Sequence, residues 1–275
     1  MFTYIDTREN LSYLDKELLK KPYVAVDTEF RRTTKDNMRL ALLQINDGEE
    51  IYLIDTVLID KPKQECNFLF SDSVVKIFHS CKEDLEAIFS WTNREMINIF
   101  DTQLAHALLS NNFSISYQDL VEEKIGIVLE KKETRSNWLR RPLSDNQLKY
   151  AALDVEYLIY LYEGQVHELN KHKKIDWHGQ DIDKLIRNTF NPYLMNADIP
   201  RTLPLSQEKL ILFNFNEIVQ IIAKRENISP TLFFSKKAQK DFLRTVLLRG
   251  LNPACEEITM WRKELIYKDL LILLK

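Results

Sequence analysis

Five side chains in this sequence, four acids and a tyrosine, stand at spacings that could hold divalent cations. Asp27 and Glu29 close the run YVAVDTEF at residues 23–30. Side chains alternate along a strand, so these two carboxylates share a face, roughly 7 Å apart. Asp84 follows in HSCKEDLEAI, where an acid in the first turn of a helix suits the helix dipole. Tyr150 and Asp154 follow in YAALDVEYL, four residues apart and so on one helical face. Singly, each has an ordinary reading: solvated acids at a strand end, a helix-start acid, a half-buried tyrosine beside a surface acid. Adjacent anions at the end of a buried strand repel and are costly to desolvate. Divalent cations relieve that cost, and hard ones such as Mg²⁺ prefer carboxylate oxygen.

The elements that must hold these residues can be read around them. Residues 23–30, 38–46 and 49–55 have strand character, and Asp47-Gly48 marks a hairpin between the last two. VVKIFH at 74–79 reads as a buried strand, with a helix starting near Lys82 or Glu83. Residues 98–101 form a short strand, and QLAHALL a helix. From about 117 the pattern is helical, with a turn at Arg141-Pro142. One long amphipathic helix is expected over 144–163, with Ser144 and Gln147 as a capping box. A meander followed by strand–helix alternation predicts a mixed α/β sheet.

Residues 171–204 read as a boundary. KHKK, Asn191-Pro192, Pro200 and Pro204 interrupt the periodicity there. Helices over 206–225, 235–249 and 256–274 would then make a small all-α second domain. The expected division is 1–170, a linker over 171–204, and 205–275.

Composition limits the alternatives. Three cysteines without close spacing argue against a disulfide framework and a zinc site, and fit a reducing compartment. The acidic N-terminus lacks the apolar stretch of a signal peptide, and no run of 18 uncharged apolar residues predicts a membrane span. A cytoplasmic location is expected. Net charge is −3, but residues 131–149 hold six Lys or Arg against two acids, and 224–249 seven against two. Two basic islands on an acidic body could follow a phosphate backbone.

The order D-x-E, Asp, Tyr-x-x-x-Asp resembles the three motifs of the DEDD exonucleases in their tyrosine-bearing branch. VDTEF, FHSCKEDLEAI, DTQLA and TRSNWLRRPLSDNQLKYAALDVEYL resemble ribonuclease D across residues 21–163. Asn137 stands where that family usually has Asp. The last third resembles the helical nucleic-acid-binding domain, of HRDC type, that follows such catalytic domains.

The resemblance implies a ribonuclease H-like sheet with flanking helices, followed by the small all-α domain. It implies 3′–5′ exoribonuclease activity on tRNA precursors or other structured RNA, with two Mg²⁺ or Mn²⁺ ions. Asp27 would bridge both ions, Glu29 and Asp154 would complete the site that activates water, and Asp84 would support the other ion. Tyr150 would orient the nucleophile. Thr28, Phe30, His79 and Arg141 would contact substrate, Phe30 against the terminal base and His79 near the scissile bond. A DNA exonuclease on the same scaffold and a catalytically silent RNA-binding adaptor are the competing readings. Loss of a metal carboxylate would favour the adaptor, and none is lost.

Overall fold

Tyr23–Thr34 forms the expected strand and runs on past the acids. Val24, Ala25 and Val26 are fully buried within it, which only a strand covered on both faces achieves. The computed structural model describes residues 2–34, 37–59, 61–62, 64–129, 136–191 and 199–274. Residues 131–135 of the first basic island, including Thr134 and Arg135, and Pro192 of the boundary lie outside them. Two units are distinguished: Met1–Gln103 with Ser116–His167, and Leu104–Ile115 with Glu168–Lys275.

The first unit is built on a sheet of six described strands: β1 (Phe2–Ile5), β2 (Tyr23–Thr34), β3 (Asn37–Asn46), β4 (Ile51–Ile54), β5 (Val75–Phe78) and β6 (Ile99–Asp101). Their order is β1-β4-β3-β2-β5-β6. The β2–β3–β4 meander is antiparallel, and β1, β5 and β6 join in parallel. This is the predicted mixed sheet, with β2 near its centre. β1 is an addition to the expectation. Its four residues carry too little pattern to announce a strand, and β4 supplies its pairing.

The expected hairpin is present between β3 and β4. The Asp47 carboxylate accepts from the amides of Glu49 and Glu50, at 2.9 and 2.8 Å, and Gly48 takes φ +90°. That conformation favours glycine.

Helix α1 (Arg8–Leu18) is a further addition to the expectation, and α2 (Lys82–Thr92), α3 (Thr102–Leu109) and α4 (Tyr117–Ile125) follow the predicted alternation. The long helix over 144–163 is instead two: α5 (Asp145–Glu156) and α6 (Leu158–Lys171). The capping box at its start is as read, with Ser144 Oγ accepting from Gln147 N and Gln147 Oε1 accepting from Ser144 N at 3.0 Å. The interruption comes at Tyr157 and has a cause outside the helix, a side chain from α4.

β2 and β3 also hold a bulge. Glu29 faces Leu42 and Phe30 faces Leu40, so Ala41 is the extra residue. A bulged residue loses its ladder partner. Here the Ala41 carbonyl accepts from Arg141 Nη2 at 2.7 Å. The same guanidinium donates through Nε and Nη2 to the Asp55 carboxylate at 2.5 and 2.7 Å, and through Nη1 to the carbonyls of Trp138 and Arg140. Tyr4 donates to Asp55 Oδ2, the oxygen that also accepts from Arg141 Nε. Burial alone would raise the Asp55 pKa, but Arg141 and Tyr4 together hold it below its ordinary value.

In the second unit, α7 (Ile175–Phe190) corrects the expectation of a linker over 171–204. The breakers flank a regular 16-residue helix. Trp177 of α7 stacks on Trp261 at 4.7 Å between ring centroids, and Asp181 pairs with Arg262. Those partners belong to α12 (Met260–Leu273). Between them come α8 (Leu205–Glu226), α9 (Pro230–Phe234), α10 (Lys236–Arg249) and α11 (Leu251–Glu256), an all-helical array as predicted. Its core includes Phe215, Phe234 and Phe242, each ring within 6.0 Å of the other two. No described helix is long and apolar enough to cross a membrane.

Arg141 sits at the junction of bulge, loop and strand with all five of its N–H donors engaged. Arg141→Met should leave the buried Asp55 carboxylate uncompensated and cost about 3–5 kcal/mol. Urea unfolding followed by circular dichroism measures this, and an unchanged midpoint would contradict the structural role.

Candidate active site

Asp27 and Glu29 lie on β2, opposite Gln44 and Leu42 of β3. Residues paired across antiparallel strands share a face. Asn46, on the same face, donates to the carbonyls of Val155 and Glu156, so the two acids point to the side that α5 covers. Tyr150 and Asp154 project from α5 on that side. Tyr150 packs against Trp138 at 6.2 Å between centroids, beside Leu143 and Ala151, and its hydroxyl is near enough to the Asp154 carboxylate to lower its pKa.

Asp84 comes from the opposite side. Thr28 sits between the two acids of β2, so it takes the other face. There its hydroxyl donates to Asp84 Oδ1 at 2.5 Å, with both side chains buried. The turn into α2 is fixed from a distance. The Asp101 carboxylate, at the end of β6, accepts from Ser80 N at 3.0 Å and Cys81 N at 2.8 Å. Cys81 has no side-chain cap of its own, and Asp101 bonds the amides just before the helix, so it fixes how the chain enters α2. Arg32 of β2 pairs with Glu86 one turn further along.

The electrostatics record how closely the four acids approach. Burial pushes the Glu29 pKa up to about 10, reinforced by the charges of Asp27, Asp154 and Asp84. Burial and Asp154 raise Asp27 well above its ordinary value, and burial and Asp27 do the same to Asp84. Asp154 is pushed up to about 7 by burial, against the lowering effect of the Tyr150 hydrogen bond. The Tyr150 pKa is raised far above its ordinary value by burial and then by Asp154, Glu29 and Asp27. Tyr150 therefore keeps its proton at neutral pH. Among the described residues no three His, Cys, Asp or Glu side chains close around one point. The acids instead approach β2 from two sides, as mutually repelling neighbours.

The four expected substrate contacts meet different fates. Thr28 is committed to Asp84. Phe30 is half-buried beside the bulge at Ala41. His79 Nδ1 shares a hydrogen bond with Thr102 Oγ1 at 2.9 Å, and its ring lies 5.9 Å from that of Tyr117. Arg141 is a correction. Its donors are taken by Asp55 and three carbonyls, so it has none to offer a phosphate. Nothing near Arg141 in the chain announces Asp55, 86 residues away.

Sequence reading missed Asp101, Asn46 and Tyr117, which bond the backbone beside the acids. DTQLA marked Asp101 only as part of a motif. Nothing near Tyr117 or Asn46 in the chain announces their partners on α5.

Comparison with known proteins identifies the family. Residues 2–170 match the family model of a 3′–5′ exonuclease. A curated ribonuclease D from a Shewanella species is 35% identical over 185 residues, covering 67% of this chain and 48% of that protein. The chain thus spans about half the length of that curated relative. The crystal structure of Escherichia coli RNase D, an exoribonuclease involved in structured RNA processing, shares the fold with a TM-score of 0.65 at 24% identity, over 99% of this chain and 74% of that one. Brucella melitensis NrnC with bound Mg²⁺ aligns with a TM-score of 0.60 at 22% identity, over 74% and 98% of the two chains. With its family model matched over most of the chain, and the acids of all three motifs gathered around one strand, this protein belongs to the 3′–5′ exonuclease family.

Proposed function

We propose that the chain is a 3′–5′ exoribonuclease that removes 5′-mononucleotides from the 3′ ends of tRNA precursors or other structured RNA in the cytoplasm, using two divalent cations. One observation carries this reading: Asp27, Glu29, Asp84 and Asp154 crowd one strand, and burial and mutual repulsion hold their pKa values high. Such a set is most stable around positive charge. Its donors are all carboxylate oxygen, which fits Mg²⁺ or Mn²⁺.

Asp27, charge-coupled to the other three acids, would be shared between the ions. Glu29 and Asp154 would complete one site and Asp84 the other. When bound, the ions supply Lewis acidity at the scissile phosphate and acidify the attacking water. Tyr150 is a hydrogen-bond donor here and not a base, because its proton is retained. It orients the nucleophile beside Asp154. Thr28 fixes Asp84, and Asp101 fixes the helix that carries it. His79, steadied by Thr102 and Tyr117, would meet the scissile region, and Phe30 would stack on the terminal base.

The helices after residue 205 would form the HRDC-like module. Lys236, Lys237 and Lys240 of α10 are exposed, whereas Arg244 is taken by Glu208. The exposed lysines are available to RNA phosphates.

Digestion of 3′- and 5′-labelled RNA, beside matched DNA, tests the reaction. Mononucleotides should appear from the RNA 3′ end with Mg²⁺ or Mn²⁺ and not with EDTA. Asp27→Asn should abolish release. Tyr150→Phe should slow it by about 10²–10⁴ while cation binding stays near normal. Early internal fragments would indicate an endonuclease, and equal DNA cleavage would move the substrate to DNA.

Stability gives an independent check. A carboxyl whose folded pKa is raised stabilises the fold while protonated, and that contribution is lost as pH rises through the folded value. Cation-free protein should therefore lose stability from about pH 5 upward, through Asp154 near 7 and towards Glu29 near 10. Mg²⁺ should raise Tm, and more at pH 8 than at pH 5. Asp27→Asn should stabilise the cation-free fold at pH 8 by about 1 kcal/mol or more, since one unit of pKa shift is worth about 1.4 kcal/mol.

Lys236→Glu with Lys240→Glu should weaken structured-RNA binding and flatten its log-affinity against log-salt plot, by about 0.7–0.9 per lost phosphate contact. An unchanged slope would make α10 a solvated surface only.

A further inference from the structure

The interruption between α5 and α6 lies immediately beyond Asp154. In an unbroken helix the Tyr157 amide would donate to the Leu153 carbonyl. The Tyr117 hydroxyl stands between them instead. It accepts from Tyr157 N at 3.0 Å and donates to Leu153 O at 3.1 Å. Insertion of a side chain into the ladder is a known cause of helix breaks. The opening is completed from the sheet. Asn46 Nδ2 donates to the carbonyls of Val155 and Glu156 at 3.1 and 3.2 Å, replacing the amides of residues 159 and 160.

The opened turn runs from Leu153 to Tyr157 and contains Asp154. Tyr117 is itself buried in the first turn of α4, with the His79 ring against it. Burial raises its pKa well above the ordinary value, and the charges of Asp154 and Asp27 add to this. The hydroxyl therefore keeps the proton it donates.

A buried, satisfied tyrosine is by itself an ordinary feature. This one replaces a bond that the helix would otherwise make unaided. Were the hydroxyl absent, Leu153 O and Tyr157 N would have each other as partners. The fold does not need the insertion, so its effect is sought in what the open turn carries. We propose that Tyr117 is a positioning residue for the candidate active site: its hydroxyl holds the 153–157 turn open and so sets the Asp154 carboxylate relative to Asp27. This rests on the reading of the four acids as cation ligands.

Tyr117→Phe removes the hydroxyl and keeps the ring against His79. Mn²⁺ binding by electron paramagnetic resonance, the Mg²⁺ dependence of mononucleotide release, and Tm in EDTA would be measured beside wild type and Asp154→Asn. Mn²⁺ affinity should fall about 10–100-fold, the range for loss of a group that orients a metal ligand. The Mg²⁺ concentration for half-maximal rate should rise in step. At saturating Mg²⁺, KM for a short RNA should stay within about twofold, since ground-state contacts to substrate are untouched. Tm in EDTA should not fall, because the helix can close. Wild-type Mn²⁺ affinity and Mg²⁺ dependence in Tyr117→Phe, with both impaired in Asp154→Asn, would overturn this proposal alone. Intact Mn²⁺ binding in Asp154→Asn would overturn the cation-ligand reading and this proposal with it. If Tyr117→Phe fails to fold, Asn46→Ala, which releases the other side of the same opening, should show the same loss of Mn²⁺ affinity; wild-type affinity there would overturn the proposal.

Discussion

The repulsion among four carboxyls at the middle of β2 is the constraint around which the first unit is arranged. Left to themselves, Asp27, Glu29, Asp84 and Asp154 would separate and seek water. They are kept together because each belongs to an element that is immobilised by something else. Asp27 and Glu29 ride on a strand paired on both sides. Asp84 is gripped by Thr28, and the turn before it by Asp101. Asp154 lies beside Tyr150, which lowers its pKa, and its helix is opened by Tyr117. Removing one charge is expected to relieve the fold and disable the site, the usual opposition between stability and activity.

Irregular backbone accompanies this arrangement, and its freed polar groups find partners. A bulge at Ala41 separates Glu29 from Phe30 along the strand pair, and Arg141 takes the freed carbonyl. A broken helix follows Asp154, and Tyr117 and Asn46 take the freed groups. Buried backbone without such partners costs about 1–3 kcal/mol per group. The polar side chains one layer out from the acids thus make unusual backbone affordable where the chemistry needs it. Gln44 departs from this pattern. It is fully buried opposite Asp27, and neither amide atom has a hydrogen-bond partner among the described residues.

Local pattern made much of this legible. The apolar run before Asp27, the Asp47-Gly48 turn and the Ser144 capping box are each decided by a few adjacent residues, and each stands where the sequence placed it. What escaped depended on distant partners. β1 is a strand because β4 pairs with it. α7 is part of a helical unit because Trp177 and Asp181 meet Trp261 and Arg262, whereas the breakers on either side read as a linker. Helical periodicity continues without a flaw across residue 157, and only a phenol from 40 residues earlier divides it. Arg141 was misread for the same reason: its charge is visible in the sequence, while Asp55 as its owner is not.

An acidic site creates a difficulty for a substrate that is itself anionic. Away from the two basic islands the chain is strongly negative, and four of its acids lie near β2. Once ionised they would repel an approaching phosphodiester at short range, where screening by salt is weak. On the proposed reading, two divalent cations neutralise four carboxylates and remove that barrier. Cation occupancy would then govern substrate entry as well as the chemical step. The raised pKa values point the same way, since the acids must ionise to bind cations and do so more readily once a cation is present. Proton release, cation binding and phosphate binding become a single coupled equilibrium, in which the position of Asp154, held by one tyrosine hydroxyl, affects every term.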